Sequence, residues 1–128
     1  MFVPVKMDGK TYNIPLSLFY TESLQFNKEF CLSSSSCAVA LWKIAWGSGI
    51  STLSPTVNYK IGWENGVLND ESNMRAVTDG IYWIFKGFII HDQPLHVTFS
   101  DNAVWVRNAS CTLYLACIDL SALPNMLI

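Results

Sequence analysis

Turn signals recur along this chain at intervals too short for an α-helical fold. Asp8-Gly9, the run Ser33 to Ser36, Gly47 to Gly49, Ser54-Pro55, Asn65-Gly66, Asp79-Gly80, Asp92 to Pro94 and Asp101-Asn102 all supply residues that favour tight turns. Between them lie runs rich in Val, Ile, Thr, Tyr, Phe and Trp, which suit a pleated, half-buried surface. Such punctuation predicts an all-β fold, an antiparallel β-sandwich or jelly-roll-like barrel of about eight strands. Strands are expected at Phe2 to Lys6, Thr11 to Leu18, Ala38 to Trp46, Val57 to Trp63, Ile81 to Ile90, Leu95 to Ser100, Ala103 to Arg107 and Thr112 to Leu120. A strand list leaves the order of pairing open. The length of 128 residues, with no internal repeat and no linker composition, predicts one β domain over 1–128.

Two segments are less regular. In "SSCAVALWKIAWG" both alternation classes are apolar, so a strand is preferred over a helix capped by Ser36 and Gly47 on the strength of its surroundings alone. The polar stretch "ENGVLNDESNMRAVTDG" reads as a long loop or as a short helix around Ser72 to Val77.

Composition narrows the function classes. Hydrophobic residues make up 51% of the chain and charged residues 14%, against a usual charged share of ~25%. Apolar and neutral polar groups must therefore face outward, and some of that surface is expected to meet another protein. The net charge is −2, and the eight basic residues are scattered singly, so no nucleic-acid partner is expected. The longest apolar stretch, "IYWIFKGFII", holds a lysine and is too short to cross a bilayer as a helix, so no membrane insertion is expected. The chain opens on a strand pair rather than on a basic start and an apolar block, which predicts synthesis and use without a secretory leader.

Candidate chemistry does not accumulate. Cys31/Cys37 and Cys111/Cys117 have five intervening residues, whereas structural zinc pairs want two to four. On one strand Cys111 and Cys117 would stand roughly 20 Å apart, too far for a bridge. Four reduced thiols acting as small buried hydrophobes are expected. In "HDQPLH", Pro94 implies a turn that puts His91 and His96 on opposite arms of a hairpin, with no third ligand or nucleophile in view. Asp8, Asp70, Asp79, Asp92 and Asp101 sit at predicted turns, where local backbone hydrogen bonds account for them. Asn108 opens a glycosylation triplet that matters only in a secreted protein. No enzyme, no cofactor and no metal are expected.

The contact signal rests on aromatic and terminal residues. Five tryptophans exceed what a core of this size needs, and Trp46, beside Gly47 to Gly49, and Trp63, beside the polar segment, are the candidates for an interface. The end of the chain places Leu123, Met126, Leu127 and Ile128 where termini usually fray. They either tuck into the core or dock on a neighbouring subunit.

The opening "VPVKMDGKTYNIP", a short apolar strand, an Asp-Gly turn and a "TY-x-IP" strand, resembles the starts of small all-β virion structural proteins of tailed phages. The resemblance implies a capsid decoration, tail or adaptor component. Such a protein would be non-enzymatic, would act through contacts with itself and other virion proteins as a homo-oligomer, and would reside in the virion after synthesis in the host cytoplasm. The alternative is a carbohydrate-binding or receptor-recognition module, with a glycan held by an exposed Trp or Tyr and by Asn and Asp of loops such as "ENGVLNDESN".

Overall fold

The computed structural model describes residues 1–25, 29–32, 36–46, 56–63, 69–75, 81–91, 94–101 and 110–128. The strand expected at Ala103 to Arg107, and Asn108, lie outside the described residues. The chain begins with the hairpin of β1 (Phe2–Met7) and β2 (Lys10–Pro15), paired from Phe2↔Pro15 to Met7↔Lys10. Asp8 and Gly9 form its two-residue loop with φ of 52° and 75°, the left-handed pair that matches the twist of the flanking strands. Val3, Val5 and Met7 alternate with exposed residues and share a buried side with Tyr12 and Ile14. The second strand, expected to reach Leu18, stops at Pro15, where a 3-10 turn (Leu16–Leu18) bends the chain away.

Among the described residues eight further strands follow: β3 (Tyr20–Gln25), β4 (Glu29–Leu32), β5 (Ser36–Trp46), β6 (Thr56–Trp63), β7 (Asn69–Arg75), β8 (Ile81–His91), β9 (Leu95–Asp101) and β10 (Ser110–Ile118). Their pairing is nested: β3 with β10, β4 with β9, β5 with β8, and β6 with β7. Cross-links β5·β10 and β6·β9 gather them into two sheets, β2-β1-β8-β5-β10-β3 and β4-β9-β6-β7. One long antiparallel ribbon rolled over itself in this way is a jelly roll, and the N-terminal hairpin extends its larger sheet.

The pairing corrects the expectations for β3, β4, β7 and the histidines and bears out the strand at Ala38 to Trp46. β3 and β4 were not expected from the sequence, and the segment read as loop or helix at Ser72 to Val77 is strand β7 through Arg75, held by β6 from Gly62↔Asn69 to Thr56↔Arg75. Ser36 to Trp46 is strand throughout, as preferred over the helix, and is paired on both flanks. His91 and His96 do not sit on the arms of a hairpin. β8 belongs to the larger sheet and β9 to the smaller, so the chain crosses between layers there, and the histidines pair with Ser36 and with Cys31 and Gly62 respectively.

Among the described residues two apolar cores result, one on each side of the larger sheet. Between the sheets, Val39, Leu41, Ile44, Ile61, Ile90, Leu95, Leu113 and Leu115 are fully buried or nearly so. On the outer side, the hairpin lies over a floor of small residues, Ala38, Ala40 and Ala116, which lets its Val5 and Met7 approach closely. Gly87 completes that floor. A Cβ there would run into the end of Met7, and would lie 3.1 Å from the Val39 carbonyl oxygen and 3.2 Å from Val5 Cγ1.

A β-bulge sets which side each residue of β5 faces. Leu41 pairs with Leu115 and Lys43 with Tyr114, so Trp42 is an extra residue against β10. On the other flank Ile84 and Phe85 stand opposite Trp42, and Phe85 takes a φ of 52°. The alternation shifts by one at this point: Val39 and Leu41 face the inner core before it, Ile44 after it.

After β10 the chain turns back. Asp119 accepts a hydrogen bond from the Ser121 N–H on Oδ1 at 3.1 Å and from the Ala122 N–H on its carbonyl at 2.9 Å. A second 3-10 turn (Leu123–Met126) then places Leu123 in the outer core, and the tail runs along β2, with a Tyr12↔Leu127 bridge and the Ile128 N–H donating to the Thr11 carbonyl at 3.0 Å.

Candidate functional site

The hairpin and tail cover only part of the larger sheet's outer side. Where they stop, two cross-strand rows remain: Trp83–Lys43–Tyr114–Thr21 and, beside it, Ile81–Ala45–Thr112–Ser23. Lys43 is the one charged residue in these rows. Trp83 is 50% exposed and Ile81 45%, large values for apolar side chains in the interior of a sheet.

The row is held rigid by ring contacts. Trp83 stacks on Phe85 with centroids 5.6 Å apart and planes within 3°. Trp42 meets Phe19 and Tyr114 edge-on, at 5.4 and 5.7 Å. Lys43 lies over three of these rings, its Nζ 4.2 Å from the Trp42 centroid, 4.7 Å from Tyr114 and 5.3 Å from Trp83. Each such contact is worth ~0.5–1 kcal/mol at an exposed site, so the ammonium ties together rings from three strands. The ensemble is an aromatic surface that carries one positive charge, on Lys43. Nothing in it is arranged as nucleophile, general base or metal ligand, and no group of three or more metal-ligating side chains occurs among the described residues.

The residues nominated from sequence are dispersed. Trp46 is on β5, paired with Cys111, and Trp63 is on β6 in the other sheet, paired with Leu95; their side chains lie outside the described residues. Leu123 is buried in the chain's own core, Met126 is half-buried against it, and Leu127 and Ile128 are exposed along β2. Lys43, Trp83 and Tyr114 were missed. In "IYWIFKGFII" nearly every position is apolar, so alternation does not reveal which residues face out, and the bulge shifts the parity midway.

The thiols divide by position. All four are free; Cys37 and Cys111 are buried as expected, whereas Cys31 and Cys117 are exposed. Burial pushes the Cys111 thiol up to about 12. Cys117 is also raised, first by burial, although its 3.3 Å hydrogen bond with the Tyr20 hydroxyl works in the other direction. Burial, and then that same bond, raise Tyr20. An unfolded Cys111 ionises near its ordinary value of 9. Above that pH the unfolded chain has released a proton that the native chain still holds, so native stability falls as pH rises toward 12. Urea unfolding at pH 8, 9 and 10.5 should show a loss across the last interval that is about 1.5 kcal/mol smaller in Cys111→Ala, the remaining loss coming from Cys117 and Tyr20. Equal losses in both proteins would remove Cys111 as the cause.

No protein-family model and no curated protein matches the sequence. Among solved structures the chain is similar to the Drosophila melanogaster CENP-C cupin domain, at a TM-score of 0.37 and 10% identity, covering 91% of this chain and 74% of that one. It is similar at the same score and identity to D. melanogaster CENP-C bound to CAL1, covering 91% of this chain and 79% of that one.

Proposed function

We propose that this chain is a non-catalytic jelly-roll domain that works by protein–protein contact, with the aromatic face around Trp83 as its contact surface, and that it serves as a building component of a larger assembly such as a viral particle. The observation that carries the reading is the half-exposed Trp83, flanked by Ile81 and a row almost free of charge. Interface centres are enriched in aromatic residues and depleted of charge. Jelly rolls serve as capsid domains as well as lectins and cupins, an analogy at the level of fold alone that agrees with the phage-like opening segment. The low charge content of the whole chain fits a protein whose neutral surface is covered in use.

The test is the native mass by light scattering over a concentration series, for the wild type and for Trp83→Ala with Ile81→Ser. Self-association in the wild type, weakened at least tenfold in the double variant, is the expected result. A wild type that stays monomeric at high concentration would overturn self-assembly through this face. Saturable binding to a glycan array, lost on Trp83→Ala, would favour the carbohydrate-binding alternative instead.

A further inference from the structure

The fold joins thiols that the chain keeps apart. Cys117 on β10 stands opposite Val39 on β5, so Cys37 is its diagonal neighbour, two residues along. Cys37, Val39 and Leu41 face the space between the sheets, as do Cys111, Leu113 and Leu115, and the alternation carries Cys117 to that same side. The two thiols lie within hydrogen-bonding range of each other. On the other flank of β10, Tyr20 pairs with Leu115, so it too is diagonal to Cys117, and its hydroxyl lies 3.3 Å from the Cys117 sulfur. Cys37 is buried, whereas Cys117 is exposed and gives access from solvent.

Three properties decide what such a pair can hold. Diagonal neighbours on paired strands have Cα atoms ~7–8 Å apart, beyond the reach of a disulfide without backbone movement, so the sulfurs meet but are not set to bond. Zinc asks for at least three protein ligands, and no group of three or more His, Cys, Asp and Glu side chains suited to a metal occurs among the described residues. Thiolate is a soft ligand that selects copper(I), a closed-shell ion that two sulfurs in line suffice to hold.

We propose that Cys37 and Cys117 form a two-sulfur site for copper(I). Both thiol protons pass to solvent as two S–Cu bonds form, and the copper stays in the +1 state throughout. With Cys117 deprotonated, the Tyr20 hydroxyl is the donor in the 3.3 Å bond and holds that sulfur in place. The site lies on the inner side of the larger sheet, opposite the aromatic contact face, and does not depend on it.

The experiment titrates the reduced full chain with copper(I) under argon, in competition with the chromogenic chelator bicinchoninate. Uptake of one equivalent is expected, with a thiolate-to-copper charge-transfer band in the near ultraviolet and no displacement by zinc(II). Cys117→Ser, at an exposed position, should weaken uptake roughly a hundredfold or more while the Tm of the metal-free chain stays nearly unchanged, and Cys37→Ala should weaken it as much. Cys31→Ser, at an exposed thiol in the smaller sheet, should leave the affinity as it is. Loss of the copper to the chelator at every ratio, undiminished uptake by Cys117→Ser, an equal loss in Cys31→Ser, or zinc(II) bound as tightly would each overturn the proposal.

Discussion

Gly87→Val is expected to destabilise the protein by about 3 kcal/mol and to lower its Tm by roughly 10 °C. Gly87 is where the hairpin presses on the outer side of the larger sheet. A side chain there meets Met7, Val5 and the Val39 carbonyl, and only Met7 is flexible. Met7 is itself buried, so displacing it opens a void elsewhere in the outer core. Thermal unfolding of the variant measures the cost. The cause is separable by a double-mutant cycle: Gly87→Ala should be tolerated better in a Met7→Ala background, with a coupling of about 1 kcal/mol. A Tm within 2 °C of wild type for Gly87→Val would mean that the hairpin can lift off this floor freely.

Leu41→Ala is the second large effect, about 3 kcal/mol by urea unfolding with little change in slope. Leu41 has no exposed surface and packs between the sheets, paired with Leu115 on one side and Lys86 on the other. It is the last inward residue before the bulge, where the extra Trp42 restricts how far the backbone can relax into a cavity. Ile81→Ala, on the open face, should cost no more than ~0.5 kcal/mol, and comparable losses at both positions would contradict the division into core and contact face. Against a total stability of ~5–15 kcal/mol for a domain of this kind, either of the larger losses is a substantial fraction.

The strands that the sequence failed to announce share one structural property. β3 is an edge of the larger sheet, and β4 and β7 are the two edges of the smaller. β3 reads "YTESLQ" and β7 "NDESNMR", polar stretches with little alternation. Edge strands pair on one side only and are kept polar against unwanted pairing, so the periodicity that marks a central strand is weak in them. β2, also an edge, was legible because Asp8-Gly9 ties it to β1 through a turn with a strong local signature.

What the sequence determined by itself was local and compositional. Apolar runs rich in Val, Ile, Thr, Tyr, Phe and Trp, punctuated by turn formers at short intervals, dictated an all-β fold, because those side chains favour the pleat and the turns recur too often for a helical fold. The Asp8-Gly9 hairpin followed from backbone sterics, and the low charge content required a neutral surface. The tertiary structure decided the nested pairing of β3 to β10 and the parity shift at Trp42. It also decided the placing of Trp83 outward and of Leu123 inward, and the meeting of Lys6 with Lys86. These depend on contacts between residues distant in the chain, where each residue's neighbours, and not its own preference, choose the face it presents.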